Sequence, residues 1–200
     1  VHDHCASVFP MAVASPFLRS LPLGDHGLTW AHPPAPLAHP LDGGTAATLD
    51  RSVDATAARL GPDADAYRRL MGALVADADV LFNELIGPVR VPRHPLAALR
   101  FGRVALRSPA RFVNNTFRTE EAKALFAGLL GHAVLPFDRR PGLAIALALG
   151  VAGHAVGWPV AVGGAQKLSD ALASYLRSLG GTVETGRRVE SVDEFPAAKA

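Results

Sequence analysis

Cysteine is almost missing from this chain: Cys5 is the only one. A lone thiol closes no internal disulfide, and this fits a reducing, cytoplasmic compartment. Lysine is nearly as scarce, confined to Lys123, Lys167 and Lys199, so arginine carries the positive charge. Arginine is the cation suited to planar carboxylate and phosphate partners. GxSxG, HExxH and Walker loops are all missing, as is any motif of paired carboxylates, which excludes a self-contained hydrolase of those designs. No GxGxxG stands anywhere in the sequence, so the backbone NH cradle that grips a dinucleotide pyrophosphate is not supplied here. No nucleic-acid motif and no aromatic-interleaved basic strand occurs, and no nucleic-acid partner is expected. No signal peptide is expected at the start. A first residue Val1 instead of methionine, and a stop at Ala200 just after a strand-like segment, predict an internal fragment.

What is present is a core-forming composition, 49% apolar and 19% charged, with a formal net charge of +2. His2, Asp3, His4 and Cys5 form the first chemical cluster, but structural zinc wants four ligands and no second Cys/His cluster follows. A polar loop or strand end is expected, with no metal. Ser15 and Pro16 predict a short helical turn. Segments 27–32, 36–40 and 45–49 read as two or three short antiparallel strands, with Asp42, Gly43 and Gly44 as a hairpin turn and Trp30 on a buried or cavity-facing side. Asp50 or Ser52 caps a helix to about Leu60, and Gly61, Pro62 and Asp63 restart a longer one whose Tyr67, Met71, Leu74, Leu81 and Phe82 keep helical spacing to about Ile86.

From Arg90 to Arg118 there are seven arginines and no acidic residue. Arg100, Arg103, Arg107 and Arg111 follow spacings of three and four, which on one helix would place them on a shared face. That face suits either peripheral contact with an anionic membrane or a solvated surface paired with carboxylates from elsewhere. Glu120 to His132 predicts a further helix capped by Thr116 or Thr119. From Pro141 past Val162 no Asp, Glu, Lys or Arg occurs. Gly150, Gly153, Gly157 and the Trp158–Pro159 pair break this run before it can span a bilayer, so a buried helix of about 12 residues leading into a glycine-rich crossover is expected. Its small residues suit either close helix packing or the approach of a flat ligand.

The best-marked stretch is WPVAVGGAQKLSDALASYLRSLGGTVETGRRVESV, Trp158 to Val192. Leu168, Leu172, Tyr175, Leu176 and Leu179 form one stripe of an amphipathic helix that Gly163 and Gly164 open and Gly180 and Gly181 close. Segments 182–185 and 188–192 are β-branched and split by Gly186, which predicts two strands and a turn.

With Pro159, the two diglycines, Ala171 and the Val189 to Val192 pair, this stretch resembles a segment of FAD-dependent phytoene dehydrogenase-like oxidoreductases, relatives of the amine oxidases. HDHCASVFPMAVASPFLRSLPL and GHAVGWPVAVGG are similar to the same family. The resemblance implies an α/β protein, of which this fragment would be α+β. Its parts would be a β-rich link over 1–50 that holds the small antiparallel sheet, a mostly helical substrate domain over 51–156, and a helix-strand part of an FAD/NAD(P)-binding domain over 157–200. It implies FAD as cofactor, a lipophilic substrate, and dehydrogenation or desaturation as the reaction. Val189 would then meet the adenine edge through its main chain, with Gly163 and Gly164 on the cofactor side and Asp3 and His4 passing near the flavin. His154 and Trp158 become candidates for the substrate cavity, with core packing as their ordinary alternative. A sequence poor in catalytic motifs is compatible with flavin chemistry, because the ring itself accepts the hydride. The competing expectation is a non-enzymatic helical interaction or membrane-docking module that uses the arginine face.

Overall fold

The computed structural model describes residues 6–88 and 91–195, and the His2, Asp3, His4 and Cys5 cluster lies outside them. Elements follow the order α1 (Pro10–Ala14), α2 (Pro16–Arg19), β1 (Trp30–Ala31), β2 (Leu37–Pro40), β3 (Ala46–Leu49), α3 (Val53–Arg59), a 3-10 turn (Gly61–Asp63), α4 (Ala64–Ala76) and α5 (Ala78–Leu85). Then come α6 (Pro95–Ala105), α7 (Pro109–Thr116), α8 (Glu120–Gly131), α9 (Gly142–Ala155), β4 (Val160–Ala161), α10 (Gln166–Ser178) and a closing 3-10 turn (Val192–Glu194). The chain is thus mostly helical with minor antiparallel β structure, an α+β arrangement.

Side-chain oxygens cap three of the helix starts. Ser15, Ser52 and Thr119 each accept a backbone N–H of the following turn through the side-chain oxygen, at 3.2–3.3 Å. The hairpin closes where predicted: Leu37 pairs with Leu49 and Pro40 with Ala46, and Gly43 and Gly44 take φ of 84° and 78° in the turn. That register buries Leu37, Ala47 and Leu49 on one side.

At the centre lies α9, apolar around its whole circumference, with α4, α6 and α8 packed against it. A helix of that kind has no polar face to offer solvent and is largely enclosed, with Ile145 left exposed near its start. Full burial of Leu143, Leu147 and Val151 contributes about 1.5–3 kcal/mol each. The glycines serve close packing: a Cβ on Gly150 would lie 3.2 Å from Met71 Cε, and one on Gly153 would lie 2.9 Å from Leu49 Cδ2. Among the described residues no helix is long and apolar enough to cross a membrane.

A second, smaller core joins distant parts of the sequence. β1 leaves the hairpin and pairs antiparallel with β4, Trp30 opposite Ala161. Leu23, Leu28, Ala161 and Ala171 are buried there, and Phe9, Trp30, Leu168, Leu172 and Tyr175 pack around them. The helix α10 ends in a complete Schellman motif: Gly180 at φ 86° donates to the Arg177 carbonyl, and Gly181 donates to that of Leu176, both at 3.0 Å. Its stripe is only half covered, since Leu176 and Leu179 stay exposed.

Three expectations need correction. The segments 182–185 and 188–192 are not strands; 182–191 is irregular, because no strand among the described residues lies beside it to pair its backbone. The helix expected to run to about Ile86 breaks at Asp77, which adopts φ −94° and ψ 8° and whose carboxylate receives Arg100 from α6. The arginine face is not one helix either. A break over 106–108 precedes Pro109, whose ring fits only a first helical turn, so Arg100 and Arg103 lie on α6, Arg107 between helices and Arg111 on α7.

Candidate functional site

The C-terminal end of α9 faces a cleft of about 640 Å³. Val13, Val75, Ala78, Ala155 and Val156 give it apolar walls, while His32, Arg51 and the Arg19–Asp79 ion pair (3.1 Å) supply polar groups. Arg51 is fixed by the helix end: its Nε donates to the His154 carbonyl at 3.3 Å and its Nη2 to the Ala155 carbonyl at 3.1 Å. A cation there also meets the negative end of the helix macrodipole. Gly157, at φ 81°, makes room, since a Cβ would meet both Arg51 Cδ and His32 Nδ1 at 3.2 Å.

Behind this wall stands a buried polar pair. His154 Nδ1 lies 3.2 Å from the Arg51 carbonyl, which can only accept, so Nδ1 carries the proton. Nε2 is then free to accept the Tyr67 hydroxyl at 2.7 Å. Burial holds the His154 imidazole below its ordinary range, partly offset by the Arg51 and Asp50 backbone, and burial pushes the Tyr67 hydroxyl up despite Thr56. Both groups therefore stay neutral near pH 7. They brace the Arg51 backbone from inside the core, away from the cleft surface.

Comparison with protein-family models, curated proteins and solved structures finds no match.

The remaining predicted residues fall as follows. Trp158 is buried, donates from Nε1 to the Leu149 carbonyl at 3.2 Å, and stands edge-on to His132 with ring centroids 5.2 Å apart. His154 and Trp158 thus lie close in sequence at the base of the α9 crossover, packed into the core. Gly163 and Gly164, at φ 87° and 100°, form the turn between β4 and α10. Val189 is 46% exposed in the irregular segment. The Lys167 side chain lies against this turn, its Cε 3.1 Å from where a Cβ on Gly163 would stand. None of these residues comes with three or more His, Cys, Asp or Glu side chains that could hold a metal.

Sequence reasoning missed Arg51, His32 and Tyr67 as a unit. Arg51 is separated from His154 by most of the helical body, and no periodic signal links them. Gly157 was visible as a helix breaker, and the space it leaves for Arg51 and His32 was not.

Proposed function

We propose that this chain forms the substrate side of an FAD-dependent oxidoreductase that dehydrogenates or desaturates a lipophilic substrate, in the manner of phytoene dehydrogenase-like enzymes. The observation carrying this reading is the cleft at the end of α9, with apolar walls, a cationic rim and no nucleophile paired to a base, built by the segment that runs directly into the Gly163–Gly164 turn. Val13, Val75 and Val156 offer apolar contact to one side of an apolar chain there, and Arg51 and His32 would orient a polar end at the rim. FAD, when bound, would supply the hydride acceptor. The protein's share is then placement of the substrate.

The test is to purify the full-length protein that carries this chain and measure its visible flavin absorption, followed by FAD release on denaturation. A yellow protein is expected, and Val156→Trp should lower substrate turnover at unchanged flavin content by filling the cleft. A colourless protein that FAD cannot reconstitute would sink the reading.

A further inference from the structure

α6 turns Ala97, Phe101 and Ala105 into the core, yet Leu96, Leu99 and Leu106 remain 77%, 59% and 64% exposed. Isolated exposed leucines are ordinary; these adjoin others. The loop between α8 and α9 exposes Val134 by 90% and Phe137 by 47%, and Ala110 N donates to the Phe137 carbonyl at 2.8 Å, tying that loop to the first turn of α7. Val134 holds φ at 51°, a left-handed conformation that a β-branched residue disfavours. The loop keeps it although the side chain meets only water.

Cations are interleaved with these apolar groups. Arg107 borders two clefts: one of about 390 Å³ with Leu96, Leu99 and Arg103, the other of about 300 Å³ with Arg111, Arg140, Ser108 and Asn115. The two clefts therefore adjoin. No ion pair engages Arg103, Arg107, Arg111, Arg139 or Arg140 among the described residues, and Asp138 is the only acidic side chain on either segment. Arg107 instead lies over the Phe112 ring, 5.8 Å from its centroid.

We propose that this corner docks onto an anionic lipid bilayer, with Leu96, Leu99, Leu106, Val134 and Phe137 entering the acyl boundary and the arginines on the headgroup phosphates. Guanidinium forks match phosphate oxygens two at a time, and apolar side chains beside them gain what water withholds. A side chain as far out as Val134 protrudes instead of lining a groove, which suits a deformable surface better than a folded partner. The inference is independent of the flavin reading, because it involves neither the α9 cleft nor the Gly163–Gly164 turn.

Vesicle co-sedimentation of the chain tests it, with phosphatidylcholine alone and phosphatidylcholine mixed with phosphatidylglycerol, at low and high salt. Binding should require phosphatidylglycerol and weaken with salt. Val134→Ser with Phe137→Ser should reduce it about tenfold at low salt, and Arg107→Gln with Arg111→Gln should reduce it on anionic vesicles only. All these side chains are exposed, and circular dichroism checks that each variant stays folded. Equal sedimentation with neutral vesicles overturns the proposal, as does full binding by either double variant. Displacement from the vesicles by inorganic phosphate, at ionic strength matched with chloride, would show a free-phosphate site and likewise overturn docking.

Discussion

Replacing Asp63 should cost this protein more than any other single carboxylate, and the reason is a count of donors. Asp63 is 2% exposed at the end of the 3-10 turn that starts α4. Its carboxylate accepts the Arg118 N–H at 2.9 and 3.0 Å, the Thr119 N–H at 2.7 Å and the Thr119 hydroxyl at 2.7 Å. Three donors from the α7–α8 junction thus converge on one group, and Thr119 is also the residue that caps α8 through Ala122. A hydrogen bond to a charged acceptor contributes about 1.5–3 kcal/mol net, and each buried donor left unsatisfied costs about 1–3 kcal/mol. Local rearrangement of the freed donors offsets some of this, so Asp63→Ala should lose about 3–5 kcal/mol, and Asp63→Asn, which keeps one acceptor oxygen, about 2–3 kcal/mol. Urea unfolding at neutral pH reads this as a lower midpoint at constant slope. The pH dependence gives an independent check. Burial alone would raise the Asp63 carboxyl above its ordinary 3.8, but the Thr119 and Arg118 hydrogen bonds pull it below. The unfolded chain therefore takes the proton first, so this stabilisation is full above 3.8 and is lost as pH falls through the lower folded value. Asp63→Asn should lack that part of the acid slope. A loss under about 0.5 kcal/mol for Asp63→Ala would refute the reasoning, since it would mean the freed donors find equal partners.

Two further changes probe the core. His154 is held below its ordinary 6.5 mainly by burial, so wild-type stability from this group is full above that value and is lost as pH falls through the folded one. Thermal unfolding between about pH 7 and 5 should show a shallower decline for His154→Gln, with His39, also lowered by burial and by His132, sustaining the remainder. An unchanged profile would place the acid sensitivity elsewhere. Gly128→Ala on α8 should destabilise by about 1–3 kcal/mol despite better helix propensity, because its Cβ would overlap the His39 ring. Calorimetry showing a stabilised variant would mean that the ring swings aside freely.

Features written in neighbouring residues were legible. Ser15, Ser52 and Thr119 announced helix starts, Asp42, Gly43 and Gly44 a hairpin, and Gly180 a helix end, because each acts within a turn of itself. Pairings decided by distant partners were not. Nothing near Trp30 points to Ala161, and β-branched residues over 182–192 could not reveal that no neighbouring strand would meet them. Asp77 sits in an unbroken helical pattern, and its break is anchored by Arg100 from another helix. Pro109 did carry a local signal, outweighed in the reading by the arginine spacing. The cleft at the end of α9 depends on Arg51 and His32 reaching Gly157 across the fold, so only its floor, the crossover after His154, could be anticipated.

The pairing of Trp30 with Ala161 closes most of the polypeptide into one large ring, held by strands of two residues each and a core of four buried side chains. So long a closure is entropically late and so small a seal is easily broken, whereas the α9-centred body beneath relies on contacts of its own. The clasp is therefore expected to loosen before the α9-centred body does, and faster amide exchange at β1 and β4 than along α9 would show it.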